Sequence, residues 1–141
     1  MIDAVNVAAQ TVNVNNPGIF GATRIKTGCT VRHEQGSGRF VLTKPGVYRV
    51  TFNANISTTD AGTAILGVTQ DGEAITGASI NATTIAGASL PVSVTTLVRV
   101  YCCDSSVSVT NLSTVAINVT DANIVIDRLC YWGVGGNQSD Q

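Results

Sequence analysis

The side chains that could do chemistry in this sequence are few and far apart. The single histidine, His33, lies in the segment TVRHEQG, and the sequence has no Gly-x-Ser-x-Gly turn that would expose a nucleophilic serine. Glu34 and Glu73 are both carboxylates, but spacing along the chain does not define a glycosidase pair, which depends on separation in space. We therefore predict that the protein is not an enzyme and has no catalytic residue, and that His33 is a polar surface residue.

Metal and thiol chemistry is also poorly supported. The four cysteines are Cys29, Cys102, Cys103 and Cys130, and none of them forms a Cys-x-x-Cys pair. A zinc site built from His33 and the last three cysteines fits no standard ligand spacing. We interpret the cysteines as small buried hydrophobic residues in a reducing compartment. Bridges from Cys130 to Cys29 or to Cys102 stay open as alternatives, whereas adjacent cysteines rarely pair because the ring is strained.

Three aspartates, Asp71, Asp104 and Asp121, fall in segments with turn chemistry. Calcium takes six or more oxygen ligands, and one or two carboxylates per loop supply too few of them. Aspartate is also a common turn residue, because its side chain bonds to nearby backbone. We predict no metal site and no cofactor, with a loop-bound calcium ion as the alternative.

The composition restricts the classes of partner. Of the 141 residues, 44% are hydrophobic and only 12% are charged, and the formal net charge is −1. Nucleic-acid binding needs a basic surface, and membrane spans need about 18 consecutive apolar residues, so neither partner is expected. So few charges indicate that part of the surface is covered in an assembly; the alternative is a monomer kept soluble by Thr, Asn and Ser. The start, MIDAVNVAAQ, does not resemble a signal peptide, so we expect synthesis in the cytoplasm.

The remaining pattern is that of an all-β protein. Apolar residues recur with a period of two, and turn sequences such as Asn16-Pro17-Gly18 and Asp71-Gly72 separate the apolar runs. The segment 77–91 consists of small residues and is predicted to be a loop or a weak strand. The predicted strands are 4–8, 11–14, 24–33, 38–43, 47–56, 63–70, 92–102, 106–111, 115–119 and 122–132, which together predict a sandwich or barrel.

Two of these strands carry bulk on both faces, and a third, 47–56, raises the question of what covers its second face. In 47–56 the core face is formed by every second residue, namely Tyr48, Val50, Phe52, Ala54 and Ile56. The opposite face has an arginine among small and polar side chains. In 92–102 and 122–132 both faces are apolar, whereas a half-solvated strand alternates more cleanly. The second faces of these strands must therefore be covered as well.

Four segments together resemble one known superfamily. They are GRFVLTKPGVYRVTF, LGVTQDGEAI, SVTTLVRVYCCDSSVSVTN and NIVIDRLCYWG, and they occur in the right order between residues 36 and 132. The set resembles the complement-type globular-head and tumour-necrosis-factor jelly-roll (C1q/TNF-like) superfamily. It is most similar to small bacterial and phage members, which include the globular tip of spore-surface glycoproteins.

The resemblance implies a ten-stranded jelly-roll β-sandwich that forms a tight homotrimer. One sheet, containing the first, third, sixth and last main strands, would face the threefold axis. The non-core residues of its inner strands would then meet the sister subunits: Val47, Arg49, Thr51, Leu97, Arg99, Tyr101, Asp127, Leu129 and Tyr131. Because a buried unpaired charge is costly, we expect Asp127 to pair with Arg49 or Arg99. A β-bulge in the last strand would bring Arg128 to this face instead.

These observations predict one jelly-roll domain over residues 1–132, with an N-terminal strand or arm at 1–20 and a flexible tail at 133–141. We predict a non-enzymatic structural and adhesion module on a phage virion, as a head fibre, decoration or tail-fibre tip that contacts a bacterial surface. The predicted partners are two further copies, other virion or surface proteins, and a host-surface glycan held in loop 57–62, 71–77 or 103–106. The alternatives are a spore- or cell-surface protein of the same fold and a lectin-like carbohydrate-binding domain.

Overall fold

The computed structural model describes residues 1–101 and 104–130, with the backbone alone for Cys130. The predictions for Cys102, Cys103, Tyr131 and the 133–141 tail lie outside the described residues. Within that part of the chain every regular element is a β-strand. A search of it for a helix long and apolar enough to cross a membrane finds none.

The strands form two antiparallel sheets. Sheet A has the order β3-β1-β11-β6-β9, with β2 also paired to β11, and sheet B has the order β4-β5-β10-β7-β8. The bounds are β1 (Ile2–Asn6), β2 (Gln10–Val12), β3 (Ala22–Lys26), β4 (Val31–His33), β5 (Phe40–Leu42), β6 (Gly46–Ser57), β7 (Gly62–Gln70), β8 (Glu73–Thr84), β9 (Leu90–Val100), β10 (Ser105–Asn111) and β11 (Ile117–Cys130). The all-β prediction is confirmed. The described residues contain eleven strands rather than the expected ten, because the short β2 adds to two five-stranded paths.

The predicted core face of the central strand is confirmed. Alternate residues of β6 from Tyr48 to Ile56 are all buried, because their side chains point between the two sheets. The aromatic residues form a connected cluster, in which Phe20 packs edge-on against Phe40 and Phe52 at centroid distances of 5.5 and 6.2 Å. Burial raises the pKa of the Tyr48 phenol, whose hydroxyl donates to the Lys44 carbonyl at 2.7 Å.

The segment 77–91 was predicted to be a loop or a weak strand, and the structure shows that most of it is strand. Most of it belongs to the long strand β8, and only the residues after Thr84 form a connection to β9. The small residues have a weak preference for strand, but Ala78 and Ala82 are buried and β8 pairs along β7. Pairing with a neighbouring strand therefore outweighs local propensity in this segment.

Two other strand predictions had the wrong connectivity. The predicted strand 24–33 is two strands, β3 in sheet A and β4 in sheet B, separated by a bend at Gly28 with φ of 70°. The predicted strands 115–119 and 122–132 are one continuous strand, β11. Its pairing with β6 is irregular between Thr120 and Asn123, where Asp121 has φ of 51°. This break reads as a turn in the sequence but is a bulge in the structure.

The strands run between two ends of the molecule. The terminal end carries both the first described residue, whose amine donates to the Thr27 carbonyl at 2.9 Å, and residue 130, which is opposite Val47. The distal end carries the loops 58–61, 85–89 and 112–116, beyond the last residues of β6 and β8. Twelve residues of β6 separate the two ends by roughly 36 Å. Met1 and residue 130 therefore lie at the same end of the described part of the chain.

Candidate oligomer interface

The three strands that carry the predicted interface residues are neighbours in sheet A. Strand β6 is paired along its length with β9 on one side and β11 on the other. Residues opposite each other in these ladders share a face. The registered pairs place Val47, Arg49, Thr51, Leu97, Arg99 and Asp127 on the surface of sheet A that points away from the core. We call this surface the outer face of sheet A.

An ion pair lies at the centre of the outer face. Arg49 and Asp127 are directly opposite in register, and the guanidinium contacts both carboxylate oxygens, with Nη2 to Oδ2 at 3.0 Å and Nε to Oδ1 at 3.3 Å. The Arg49 side chain is 50% exposed and that of Asp127 is 23% exposed. This two-point contact fixes both side chains. The predicted pairing of Asp127 with an arginine is therefore confirmed, and Arg49 is the partner.

The same face exposes large apolar groups next to the ion pair. Leu97 is opposite Arg49 and is 57% exposed. Tyr101 follows β9 and is 65% exposed. The centroid of its ring lies 5.6 Å from the guanidinium carbon of Arg99, and Nη1 of Arg99 donates to the tyrosine hydroxyl at 3.0 Å. Val47, opposite Arg99, and Thr51, opposite Thr95, are half-buried on the same face. A single copy of the chain thus leaves the outer face of sheet A partly apolar and open to solvent.

The last strand contains a bulge near its end, but it does not bring Arg128 to the outer face in place of Asp127, as the alternative required. Arg128 is opposite Tyr48 and Cys130 is opposite Val47, so that Leu129 is the extra residue between them. Leu129 is 46% exposed, and the Arg128 guanidinium donates to the Pro45 carbonyl. Arg128 precedes the bulge and is opposite the buried Tyr48, so it lies on the other side of the sheet from the outer face. Tyr131 lies outside the described residues.

A second ion pair on this face was missed by sequence reasoning. Asp3 is buried and accepts from Arg24 Nη1 at 2.5 Å and from Asn123 Nδ2 at 2.6 Å. Ile25 is opposite Asp3 and is 42% exposed. The signal in the sequence was an aspartate inside an apolar run at residues 2–5, which predicts a buried partner but does not identify it.

Solved structures with the same arrangement of strands come from three settings. The globular domain of zebrafish complement 1qA protein has a TM-score of 0.65 at 16% identity, over 88% of this chain and 94% of that one. The Eiger TNF of S. frugiperda has a TM-score of 0.68 at 12% identity, over 98% of both chains. The chain has the C1q/TNF-like jelly-roll fold.

A third structure with the C1q/TNF-like fold is the PRD1 vertex protein P5, with a TM-score of 0.55 at 12% identity over 92% of this chain and 96% of that one. At such low identities these likenesses establish the fold alone. Searches by sequence give no matching family model and no matching curated protein.

The structure shows the positions of His33 and Cys29, which were considered for catalysis and thiol chemistry. His33 is half-buried rather than a surface residue, because its ring stacks on Phe40 at 4.2 Å and its Nε2 lies 2.7 Å from the Ser37 carbonyl. Cys29 is exposed, which contradicts its interpretation as a buried hydrophobic residue, since the bend at 27–30 lies outside both sheets. Within the described residues no three His, Cys, Asp or Glu side chains come together as metal ligands.

The three loop aspartates have separate roles in the fold. Asp71 forms the Asp71-Gly72 hairpin turn, where both residues have positive φ. Its carboxylate accepts from the Ser106 amide at 2.9 Å and the Ser105 hydroxyl at 2.7 Å, and these bonds lower the pKa of Asp71. Asp104 pairs with Arg32 at 3.1 Å, and Asp121 occupies the bulge of β11. The absence of a bound calcium ion stays a prediction.

Proposed function

We propose that this protein is a non-enzymatic structural and adhesion module that works as a homotrimer, with the outer face of sheet A packed around the threefold axis. The observation that carries the proposal is the exposure of Leu97 and Tyr101 on a sheet whose other side is the core. Contact with two further copies would remove this apolar surface from water, which is favourable in proportion to the area buried. The small share of charged residues supports the same assembly.

The ion pair of the outer face is compatible with burial. A charge that enters an interface without a partner costs several kcal/mol, because its hydration is lost. Arg49 already holds Asp127 within the same chain, so that each copy would bring a neutral pair to the interface. Asp3 is neutralised in the same way by Arg24. The face therefore combines apolar side chains with two ion pairs, Arg49–Asp127 and Arg24–Asp3, that need no partner from another copy.

Hydroxyl-radical footprinting of the full chain in solution tests this assembly. Leu97 is 57% exposed in one copy, and Ile85, in a distal loop away from the outer face, is 73% exposed and serves as the matched aliphatic control. We expect the Leu97 oxidation rate to be several times lower than that of Ile85, with Tyr101 protected as well. Equal oxidation of Leu97 and Ile85 would contradict a covered outer face.

We place the module on the outside of a phage particle. The supporting observation is that the vertex protein P5 of PRD1, a phage vertex protein, has the same fold. Immunogold labelling of intact particles with an antibody against this chain tests the location, and we expect label on the particle exterior. Label on host spores or cell walls and none on particles would favour the alternative, a spore- or cell-surface protein of the same fold.

A further inference from the structure

The distal end contains a cleft between two loops. It has a volume of about 400 Å³, within the range of small-molecule sites. One wall is the 58–63 segment, which connects β6 to β7, and the other is Thr114 to Ala116, which precedes β11. The cleft opens at the end of the sandwich and not on the outer face of sheet A, so that trimer formation through that face would leave it accessible.

The first wall is held in place by two buried threonines. Thr58 and Thr84 are buried, and their hydroxyls lie 2.6 Å apart. The Thr58 hydroxyl also reaches the Asp60 carbonyl at 2.6 Å, and the Thr84 hydroxyl reaches the Gly62 carbonyl at 3.0 Å. Hydrogen bonds from these two buried side chains therefore fix the backbone of the exposed segment 59–63.

The second wall is held by a buried amide. The Asn111 side chain is fully buried and donates to the Val12 carbonyl at 2.9 Å and the Val115 carbonyl at 2.8 Å. Its oxygen accepts from the backbone amide of Ser113 at 2.9 Å, and the buried Ser113 hydroxyl lies 3.0 Å from the Val115 carbonyl. This network fixes the loop at Val115, which lines the cleft.

Four of the seven buried polar or charged residues in the described chain belong to these two networks. A buried polar group is costly unless its hydrogen bonds are made, and a core needs none of them for packing. Here their effect is to give two surface loops one fixed conformation. Loops fixed before binding lose less entropy when a ligand is bound, which is how binding sites are preorganised.

The cleft has the chemistry of a site for a neutral polyhydroxylated ligand. The loops 58–61, 85–89 and 112–116 contain one charged residue, Asp60, and no lysine or arginine. Hydroxyls of Thr59, Thr63 and Thr114 and the Asp60 carboxylate would accept and donate hydrogen bonds, while Val115 offers an apolar surface. An anionic ligand would find no cation there.

We infer that this distal cleft binds a neutral glycan. The inference deepens the proposed adhesive role and rests on it, because an attached module presents its distal end to the host surface. It also distinguishes among the three predicted ligand loops. The segment 71–77 and the described residues 104–106 begin at or near the terminal end, where the Gln70 side-chain amide donates to the Arg99 carbonyl at 2.9 Å. Of the three predicted ligand loops, 57–62 is the one whose described residues lie at the distal end.

Titration of the isotope-labelled full chain followed by NMR tests the inference. The probes are methyl glycosides of glucose, galactose, mannose and N-acetylglucosamine, with methyl glucuronide as the anionic counterpart. We expect at least one neutral glycoside to give saturable shifts of the amides at 58–63 and 114–116, and methyl glucuronide to bind more weakly. Asp60→Asn should weaken binding about tenfold, the size of one charge-assisted hydrogen bond. Asp104→Asn, the same change at the other end, should leave it unchanged.

Three results would overturn the inference: no shifts with any neutral glycoside, shifts confined to 71–77 or 104–106, or equal losses for both variants. Light scattering on the same sample separates this result from the proposed trimer. A trimer without cleft shifts would overturn the glycan site alone. A monomer whose cleft amides still shift would overturn the trimer and support the site.

Discussion

At the scale of single residues, two ion pairs of almost identical length differ in what the proposed trimer would do to them. Arg49–Asp127 lies on the outer face of sheet A at 3.0 Å, and Arg32–Asp104 lies at the terminal end at 3.1 Å. Exposed ion pairs contribute about 0.2–1 kcal/mol. Removal of one partner from a buried pair costs about 3–5 kcal/mol, because the other charge stays buried and unpaired. The cost of breaking each pair therefore reports whether it is covered.

We predict that Asp127→Ala lowers the free energy of unfolding by about 3 kcal/mol and weakens the oligomer, since Arg49 would lose its partner inside the interface. Asp104→Ala should cost less than about 1 kcal/mol, because that pair is exposed. Urea denaturation of both variants, with the mass of each in solution, measures the difference. Equal costs and an unchanged oligomer would mean that the Arg49–Asp127 pair remains in water.

Asp71 should make stability depend on pH. Hydrogen bonds from the Ser106 amide and the Ser105 hydroxyl lower its pKa from the usual 3.8. The contribution of Asp71 is therefore complete above about pH 4 and is lost as the pH falls through the lowered pKa. Asp71→Asn keeps a residue that tolerates positive φ but removes the charge. We predict a melting temperature that falls less between pH 5 and pH 2.5 for Asp71→Asn than for the wild type; parallel curves would contradict this account.

Residues that alternate strictly along one strand could be placed from the sequence, whereas partners from distant strands could not. The core face of β6 follows from period two alone, whereas the shared face of Arg49 and Asp127 also needed the family resemblance, which implies that their strands lie in one sheet. The partner of Asp3 depends on β1 pairing with β3 and β11, which is set by contacts between residues far apart in the chain. His33 was misplaced for the same reason, because Phe40, on which it stacks, comes from the neighbouring strand β5.

At the scale of elements, the structure shows where pairing and turns outweigh propensity. Strand β8 contains a stretch of small residues that favour strands weakly, and its pairing with β7 and the burial of Ala78 and Ala82 hold that stretch in the sheet. The crossing between sheets at Gly28 and the bulge at Asp121 both depend on positive φ. The sequence around Gly28 also fits a continuous strand, and the sequence around Asp121 also fits a turn. Local sequence patterns therefore could not distinguish these possibilities.

The connection between β10 and β11 should depend on one buried amide. Asn111 makes its hydrogen bonds to two segments, at Val12 near the start of the chain and at Ser113 and Val115 in the loop that follows it. We predict that Asn111→Ala lowers the free energy of unfolding by about 2–4 kcal/mol, because it leaves buried carbonyls unpaired. Asn118→Ala, which removes an exposed contact with Thr11, is the matched control and should cost less than about 1 kcal/mol. Thermal unfolding of both variants checks the difference, and similar costs would contradict the structural role of Asn111.

At the scale of the whole molecule, the two sides of sheet A differ in their exposure to solvent. One side is the core of the sandwich, and the other combines internally paired charges with exposed Leu97 and Tyr101. The strands that form this surface could be predicted from their two apolar faces. The copy number could not, since it rested on the resemblance to trimeric proteins rather than on any residue of this chain.

A charge introduced on the outer face should separate the copies without unfolding them. We predict that Leu97→Glu yields a folded monomer, because a carboxylate at this exposed position is hydrated in one copy but desolvated between copies. Ile85→Glu is the control, since Ile85 is exposed in a distal loop. Circular dichroism should be unchanged for both variants, and gel filtration should show the smaller species for Leu97→Glu alone. Two variants of unchanged size would argue that this face is not an interface.

The central claim is that two further copies cover the outer face of sheet A, and light scattering on the wild-type protein at micromolar concentration tests it most directly. The account predicts a molar mass close to three times 14.6 kDa that persists on dilution. A stable, freely soluble species of 14.6 kDa, with Leu97 and Tyr101 in contact with water, would contradict it.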